Sequence, residues 1–346
     1  MSAFPVPKHP NLGFYTLAGA PESPRDLIDE VIEAERLGLG AAFISERFNI
    51  KEAATLSGAA GAVSHSIDII TGATNHNTRH PIVTASYATT MHRLTGGRFS
   101  LGIGRGIAPM FKAFGIPPIT AAQMEDFAIV MRRLWKGETV IGHDGPIGSY
   151  PVLRLDPTFD ENIPLSIVAF GPNTLKLGGR LFDNVILHTF FTDETLQRCV
   201  ETVKEAAERA GRDPASVRVW SCYATVGDHI DKPLRLKKTV GRLATYLQAY
   251  GDLMVSTNRW DPSVLDAFRA DELVSNIGGA IDAIATTEQL EHIATLLPDE
   301  WLAPAATGSA SACANAVRRQ IDLGADAVIM HGATPTELAP ILQFVN

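Results

Sequence analysis

The chain has 346 residues, 45% of them hydrophobic and 20% charged, and its formal net charge is −8. It has no apolar run long enough to cross a membrane, and an acidic balance without a basic run argues against a nucleic-acid surface. The polar segment Met1–Pro10 predicts no signal peptide. Three widely spaced cysteines, Cys199, Cys222 and Cys313, form no paired motif, which indicates a reduced, cytoplasmic protein.

Strand-like and helix-like stretches alternate along the chain. The strand-like runs are apolar throughout rather than alternating, which is typical of a parallel sheet covered on both faces. The predicted strands are 11–17, 41–45, 67–73, 98–104, 164–170, 184–189, 217–226 and 325–331. The predicted helices are 23–37, with Ser23 as its N-cap, 51–63, 81–94, 120–136, 173–180, 193–210 and 335–344.

Eight such units favour an α/β fold, a (β/α)8 TIM barrel with insertions. A plain barrel needs about 250 residues, and the surplus falls at about 137–162, a predicted hairpin or loop, and at about 228–304, a largely helical segment. Without a long linker, residues 1–346 are expected to form one domain. An open doubly wound sheet is the alternative, but the glycines of 102–106 lack the spacing of a dinucleotide fingerprint.

The segment that follows the third predicted strand carries the strongest signal. Bulky side chains stop at Gly72 and Ala73, and small residues at a strand end let a flat ligand approach the backbone. The polar cluster 74–77 follows, and polar groups packed at one strand end indicate a ligand site. An ordinary polar loop with Pro81 at the first helical position fits the same residues.

The other strand ends exclude several chemistries, because a barrel has its active site at the carboxyl ends of its strands. Glu46 is nearly the only acid there, so a glycosidase pair of carboxylates is missing. No ligand-spaced cluster of histidines and acids predicts a metal, and no Gly-x-Ser-x-Gly elbow is present. What remains is a site for a large, flat, partly anionic molecule that performs the chemistry itself.

Two glycine-containing turns suggest a phosphate. Residues 170–173 lead from the fifth predicted strand directly into a helix, whose first N–H groups would face an anion. Residues 104–106 add one positive charge and open backbone. Each turn alone fits an ordinary strand-to-helix connection equally well, but the two together favour phosphate.

Four segments match, in order and spacing, the motifs of one known family: 44–48, 74–81, 98–106 and 167–173. The most specific is Thr74-Asn75 followed by Thr78-Arg79-His80-Pro81, which is similar to a motif of F420-dependent methylenetetrahydromethanopterin reductases. The chain thus resembles the luciferase-like monooxygenase superfamily, and within it the branch that depends on coenzyme F420.

The resemblance implies hydride transfer between carbon 5 of the deazaflavin and a carbon of a small substrate. It also implies a non-prolyl cis peptide at Gly72-Ala73, in a bulge that backs the ring, and a homodimer by analogy. The candidate catalytic residues are Glu46, for which a salt bridge to an arginine is the alternative role, and His76. The candidate cofactor-binding residues are Gly72, Ala73, Thr74, Asn75, Gly104, Arg105, Gly106, Phe170, Gly171, Pro172, Asn173 and His188.

Two departures from the family pattern bear on the substrate. Ile107 stands where sugar-phosphate dehydrogenases of the family carry glutamate, and Arg47 stands where they carry histidine. An apolar pocket and a hydrophobic substrate are therefore expected, the pocket lined by Phe48, Ile107, Met110, Phe111, Phe114 and Phe190. An FMN-dependent monooxygenase is the alternative, and a non-catalytic flavin-binding or deazaflavin-binding protein is the alternative of another class.

Overall fold

The structure is a computed structural model that describes residues 6–19, 21–48 and 50–345. Within these residues the strands are β1 (His9–Tyr15), β2 (Leu39–Ile44), β3 (Asp68–Thr71), β4 (Phe99–Ile103), β5 (Val140–Gly145), β6 (Gly148–Leu153), β7 (Leu165–Val168), β8 (Asn184–Ile186), β9 (Arg218–Gly227), β10 (Ala305–Gly308) and β11 (Ala327–His331). The first five residues of the segment that predicted no signal peptide lie outside the described residues.

The helices are α1 (Asp26–Arg36), α2 (Ala53–Val63), α3 (Pro81–Leu94), α4 (Ala108–Ala113), α5 (Ala121–Trp135), α6 (Pro172–Leu181), α7 (Asp193–Arg209), α8 (Lys232–Leu236), α9 (Arg242–Asn258), α10 (Pro262–Ala270), α11 (Glu272–Asn276), α12 (Ile281–Ile284), α13 (Thr287–Leu296), α14 (Asp299–Leu302), α15 (Ala310–Asp322) and α16 (Pro335–Leu342). No helix in this part of the chain is both long and apolar enough to span a membrane.

Eight parallel strands close into a barrel in the order β1-β2-β3-β4-β7-β8-β9-β11, with β11 paired to β1. The predicted TIM barrel is confirmed. Every residue of β2 is buried, as expected for a strand between the barrel interior and a helical layer. The interior is filled by Phe43, Ile70, Trp220 and Ile329, and Tyr15 and Val168 pack on it half-buried.

Both predicted insertions contain regular structure. Strands β5 and β6 form an antiparallel hairpin within 137–162, and helices α8 to α14 lie within 228–304 and pack around their own core, which includes Leu243, Leu247 and Trp301. A short π-helix at 237–241 joins α8 to α9.

Several local features differ from the sequence prediction, and helices α4 and α15 have no predicted counterpart. Helix α1 begins at Asp26 rather than after Ser23, because the carbonyl of Ser23 accepts from the Asp26 N–H at 3.2 Å and closes a separate turn first. Strand β10, paired with the end of β9, has no predicted counterpart. Its Ala-Ala-Thr-Gly sequence lacks the β-branched and aromatic run that marks a strand.

Candidate active site

The carboxyl end of β3 forms a bulge, Gly72 and Ala73, between its two neighbouring strands. The Gly72-Ala73 peptide bond is cis, so the predicted non-prolyl cis peptide is confirmed. On the β2 side, Gly72 N donates to Ile44 O at 2.8 Å and Glu46 N donates to Ala73 O at 2.9 Å. On the β4 side, Thr74 bonds the backbone of Gly102 and of Gly104 at 2.9 and 3.0 Å.

Small residues are needed at this bulge by the chain itself. A Cβ on Gly72 would lie 2.9 Å from the Tyr15 hydroxyl oxygen, and a Cβ on Gly104 would lie 3.1 Å from that of Ala73. A Cβ on Gly102 would overlap the carbonyl oxygen of Thr71 at 1.8 Å. Ala73 is half-buried, so its methyl group lies at the edge of the open mouth of the barrel.

Glu46 belongs to a set of charged and hydrogen-bonding side chains that we term the closed network, formed by Glu46, Glu52, Thr74 and Arg79. Glu46 Oε2 accepts from Thr74 Oγ1 at 2.7 Å and lies 3.2 Å from Arg79 Nη2, and Oε1 accepts from the N–H of Ala53 at 3.0 Å. Arg79 also pairs with Glu52. Only 1% of the Glu46 side chain is exposed. The alternative role, a salt bridge to an arginine, is present in the structure, and the catalytic role of Glu46 stays a prediction.

His76 and Asn75 lie on the side of the bulge that faces the helical layer. The His76 ring stacks on Phe127 of α5 with centroids 5.4 Å apart, and burial lowers the pKa of His76 to about 4. Its Nε2 atom is buried without a hydrogen-bond partner among the described residues. Asn75 Nδ2 donates to Gly104 O at 2.9 Å. Asn75 therefore fixes the loop after β4, and the catalytic role of His76 stays a prediction that its packing against α5 does not favour.

The turn after β7 contains a glycine that the fold does not require. Gly171 is the N-cap of α6 at φ −94° and ψ 166°, which any L residue before a proline adopts, and a Cβ there would meet no atom within 4 Å. No side chain caps the helix among the described residues, although serine, threonine or aspartate is preferred there. Pro172 has no N–H, and the N–H groups of Thr174 and Leu175 donate to the Gly171 carbonyl at 3.1 Å, so the N–H of the exposed Asn173 is what the first turn offers to an anion.

Arg105 lies beside this turn, because β4 and β7 are adjacent and in register through Ile103 and Ile167. The side chain is exposed and makes no hydrogen bond or ion pair with the part of the chain that the structure describes. Gly106 has φ +70°, a backbone conformation that favours glycine. These groups form one positive, open edge with the turn at Gly171.

His188, at the end of β8, lies in a group of aromatic rings rather than among polar groups. Its Nδ1 donates to Thr189 O at 2.9 Å, so Nε2, which lies 2.8 Å from Tyr250 Oη, accepts from that hydroxyl. Burial lowers the pKa of His188 to about 4, which keeps the ring neutral. Phe170 and Tyr246 flank the ring with centroids at 4.6 and 4.7 Å.

Helix α9 of the long insertion places three residues over the mouth, at a spacing of four: Arg242, Tyr246 and Tyr250. This spacing puts them on one helix face. None was predicted as a site residue, although the spacing was visible in the sequence. Arg242 Nη2 pairs with Asp282 at 2.7 Å, and both side chains are nearly buried.

Arg47 extends from the end of β2 towards the same place. Its Nη1 donates to Gly19 O at 2.8 Å. Burial and then the positive charge of Arg242 lower the pKa of Arg47, and the charge of Asp282 opposes them. Gly19 follows β1, and the π-helix that leads into Arg242 lies at the end of the adjacent strand β11, where Lys238 O would lie 3.9 Å from a Cβ on Gly332. We term Arg47 and Arg242 the arginine pair; Asp282 is paired with Arg242.

The predicted apolar pocket is present only in part. Phe48 packs against Phe111 and Phe114 with ring centroids 6.0 and 6.2 Å apart, and Phe48, Ile107 and Phe114 are exposed. The inclusion of Phe190 was wrong. It is fully buried at φ +62° in the core of the long insertion, so it cannot line an open pocket.

No group of three or more histidine, cysteine, aspartate or glutamate side chains within residues 6–19, 21–48 and 50–345 is arranged to hold a metal ion. The mouth offers binding groups of four kinds: the bulge, a glycine turn with the free N–H of Asn173, aromatic rings and arginines.

Known proteins resemble this chain in sequence and in fold. The chain is 28% identical over 255 residues to the 5,10-methylenetetrahydromethanopterin reductase of Methanolobus tindarius, which covers 72% of each protein. The structure of the coenzyme F420-dependent tetrahydromethanopterin reductase from Methanopyrus kandleri aligns with a TM-score of 0.79 at 18% identity, over 97% of this chain and 98% of that one.

An F420-dependent secondary alcohol dehydrogenase aligns with a TM-score of 0.70 at 18% identity, over 97% and 99% of the two chains. At these identities the structural likeness establishes the fold. Residues 11–327 match the family model described as luciferase-like monooxygenase, so the chain belongs to the luciferase-like monooxygenase family.

Proposed function

We propose that this protein is a coenzyme F420-dependent oxidoreductase acting on a small organic substrate with an apolar body. The observation that carries the proposal is the turn at Gly171. A glycine that neither conformation nor space requires, at an uncapped helix N-terminus beside an unpaired arginine, fits the phosphate of a bound cofactor.

The groups around the mouth fit the rest of such a cofactor. Tyr15 fills the space beside Gly72, so a flat ring would rest against the half-buried Ala73, which carries only a methyl group. The Asn173 N–H and the Arg105 guanidinium would hold the phosphate, and the rings of Phe170 and His188 would flank the chain that joins phosphate to ring. When bound, the deazaflavin supplies hydride transfer at its carbon 5.

The protein's own residues then orient the reactants and exclude water. The closed network holds Thr74 at the rim of the bulge, and we propose that Glu46 acts in orienting the substrate or in handling a proton through that contact. The exposed rings of Phe48 and Phe114 would cover an apolar substrate. A homodimer, a cytoplasmic location and a single domain over 1–346 stay predictions from the sequence.

The proposal is tested by titrating the purified protein with F420 and with FMN and following the cofactor fluorescence. We expect F420 to bind in preference to FMN. Gly171→Val should lose one or more hydrogen bonds to a charged group, roughly 1.5–3 kcal/mol each, or about tenfold to a hundredfold in Kd. Gly278→Val is the matched control, because its added side chain also meets no protein atom and its φ is not positive.

Three outcomes would contradict the proposal. Unchanged F420 affinity in a folded Gly171→Val protein would show that the turn at Gly171 does not bind the phosphate. Tight binding of FMN alone would favour the monooxygenase alternative. Binding of F420 without hydride transfer to any substrate of a broad panel would favour the non-catalytic alternative.

A further inference from the structure

The arginine pair carries more positive charge than its surroundings neutralise. Asp282 gives one oxygen to Arg242 at 2.7 Å, and its other oxygen accepts from Thr245 Oγ1 at 3.0 Å. No other carboxylate among the described residues pairs with either guanidinium, and Arg47 has only the carbonyl of Gly19. One acid therefore stands against two guanidiniums.

The burial of this excess charge calls for a partner. A guanidinium has five N–H donors, and a buried charge without a partner is costly. Arg242 has 12% of its side chain exposed and its Nε is buried without an acceptor in the described chain. Arg47 is half-buried. The free donors of both side chains are satisfied if an anion lies between them.

The two buried or half-buried lysines near the mouth, Lys51 and Lys238, already have partners, which makes the arginine pair distinct. Lys51 Nζ donates to the carbonyls of Thr16 and Leu17 at 2.8 and 3.3 Å. Lys238 pairs with Glu337 at 2.6 Å. The exposed Arg105 lies at the glycine turn, where the cofactor phosphate is proposed to bind.

We propose that Arg47 and Arg242 bind a carboxylate group of the substrate, at a place separate from the phosphate turn. This inference rests on the proposed function, since it assigns the anion to the substrate of the same mouth. Strand β7, which carries the phosphate turn, is the third strand from β2 around the barrel, so one phosphate cannot serve both places. The planar fork of arginine matches a carboxylate with two parallel hydrogen bonds.

The surroundings indicate what the carboxylate is attached to. Arg242 lies over the Tyr246 ring at 5.8 Å, and Phe48 directly follows Arg47. The Tyr246 ring beside Arg242 favours a flat, apolar body. The substrate class is thus an aromatic or otherwise apolar carboxylic acid, which refines the hydrophobic substrate expected from the sequence.

The test measures binding of benzoate and of its neutral analogue benzamide to the purified protein by calorimetry. Wild type should bind benzoate at least roughly tenfold more tightly than benzamide. Arg47→Gln should abolish this preference, and Arg47→Lys, which keeps the charge without the fork, should reduce it by less. Arg105→Gln, which removes an unpaired arginine at the phosphate turn, should retain it.

Fluorescence titration of F420 with the same variants separates the two sources of an anion. F420 affinity should be unchanged in Arg47→Gln and weaker in Arg105→Gln. The proposal is overturned if benzoate binds no better than benzamide, if Arg47→Gln retains the preference, or if Arg47→Gln weakens F420 instead. A benzoate preference that depends on Arg47 in a protein that does not bind F420 would refute the proposed function and leave the carboxylate site in place.

Discussion

Glu46 and Arg47 are adjacent in the chain, yet they belong to two opposite arrangements of charge. Glu46 faces β3 and joins the closed network, in which two carboxylates surround one guanidinium. Arg47 bonds the carbonyl of Gly19 beyond β1, and Arg242 of the long insertion pairs with the carboxylate of Asp282, so one carboxylate stands against two guanidiniums. The closed network carries one acid more than its cation needs, whereas the arginine pair carries one cation more than its acid neutralises, with the Arg242 Nε left without an acceptor in the described chain.

The two arrangements have different roles: the closed network stabilises the fold, whereas the arginine pair is proposed to bind a ligand. Arg79 is half-buried, like Arg47, but two acids flank it, so its charge is neutralised within the protein and it fixes the bulge through Thr74. A half-buried cation with one backbone partner gains most when a ligand supplies the missing charge. The two residues of one short motif are therefore expected to respond in opposite ways to substitution.

The largest expected effect on stability comes from removing Arg79, the cation of the closed network. Arg79→Gln leaves the Glu46 carboxylate, 1% exposed, without a charged partner. Loss of one partner of a buried ion pair costs on the order of 3–5 kcal/mol of unfolding free energy, measured by urea denaturation. Arg36→Gln is the control, since that side chain is 67% exposed and its pair is worth less than about 1 kcal/mol. A loss in Arg79→Gln as small as in the control would show that the network is not closed.

A second comparison sharpens the role of Glu46. Glu46→Gln and Glu52→Gln each remove one acid from Arg79, but the side chains are 1% and 43% exposed. We expect a loss of roughly 1.5–3 kcal/mol for Glu46→Gln, and about 1 kcal/mol for Glu52→Gln, mainly from its N-cap contacts to α2.

Activity decides between the two roles of Glu46. If it positions the bulge, turnover falls together with stability in Glu46→Gln. If stability is intact and turnover drops roughly a hundredfold or more, the catalytic role predicted from the sequence is correct.

The sequence predicts those parts of the molecule that local pattern determines. Apolar runs between helices identify the strands of the barrel, and the sudden change to Gly72 and Ala73 identifies the bulge. The turn at Gly171 is recognisable because a glycine followed by proline opens a helix. In each case the informative residues are neighbours in the chain.

The arginine pair is not predictable in the same way. Arg47 and Arg242 are separated by almost two hundred positions and meet only because the insertion folds back over the mouth. The sequence leaves two roles open for Glu46, a catalytic one and a salt bridge to an arginine, since it does not state that Arg79 and Thr74 reach its carboxylate. Glu46 and Arg47 are adjacent in the chain, and tertiary contacts determine which of the two charges is neutralised.

The smallest expected effect on stability belongs to Arg47→Gln. A small loss is what an arginine without a charged partner in the protein predicts. The substitution loses one hydrogen bond to Gly19 O, and it also removes a like charge from the vicinity of Arg242. These contributions oppose each other, so the free energy of unfolding should change by less than about 1 kcal/mol. Denaturation in low salt, without added carboxylate, measures it beside Arg79→Gln. A loss of about 3 kcal/mol or more would mean that Arg47 is already satisfied inside the protein, and the arginine pair would then have no charge left for a substrate.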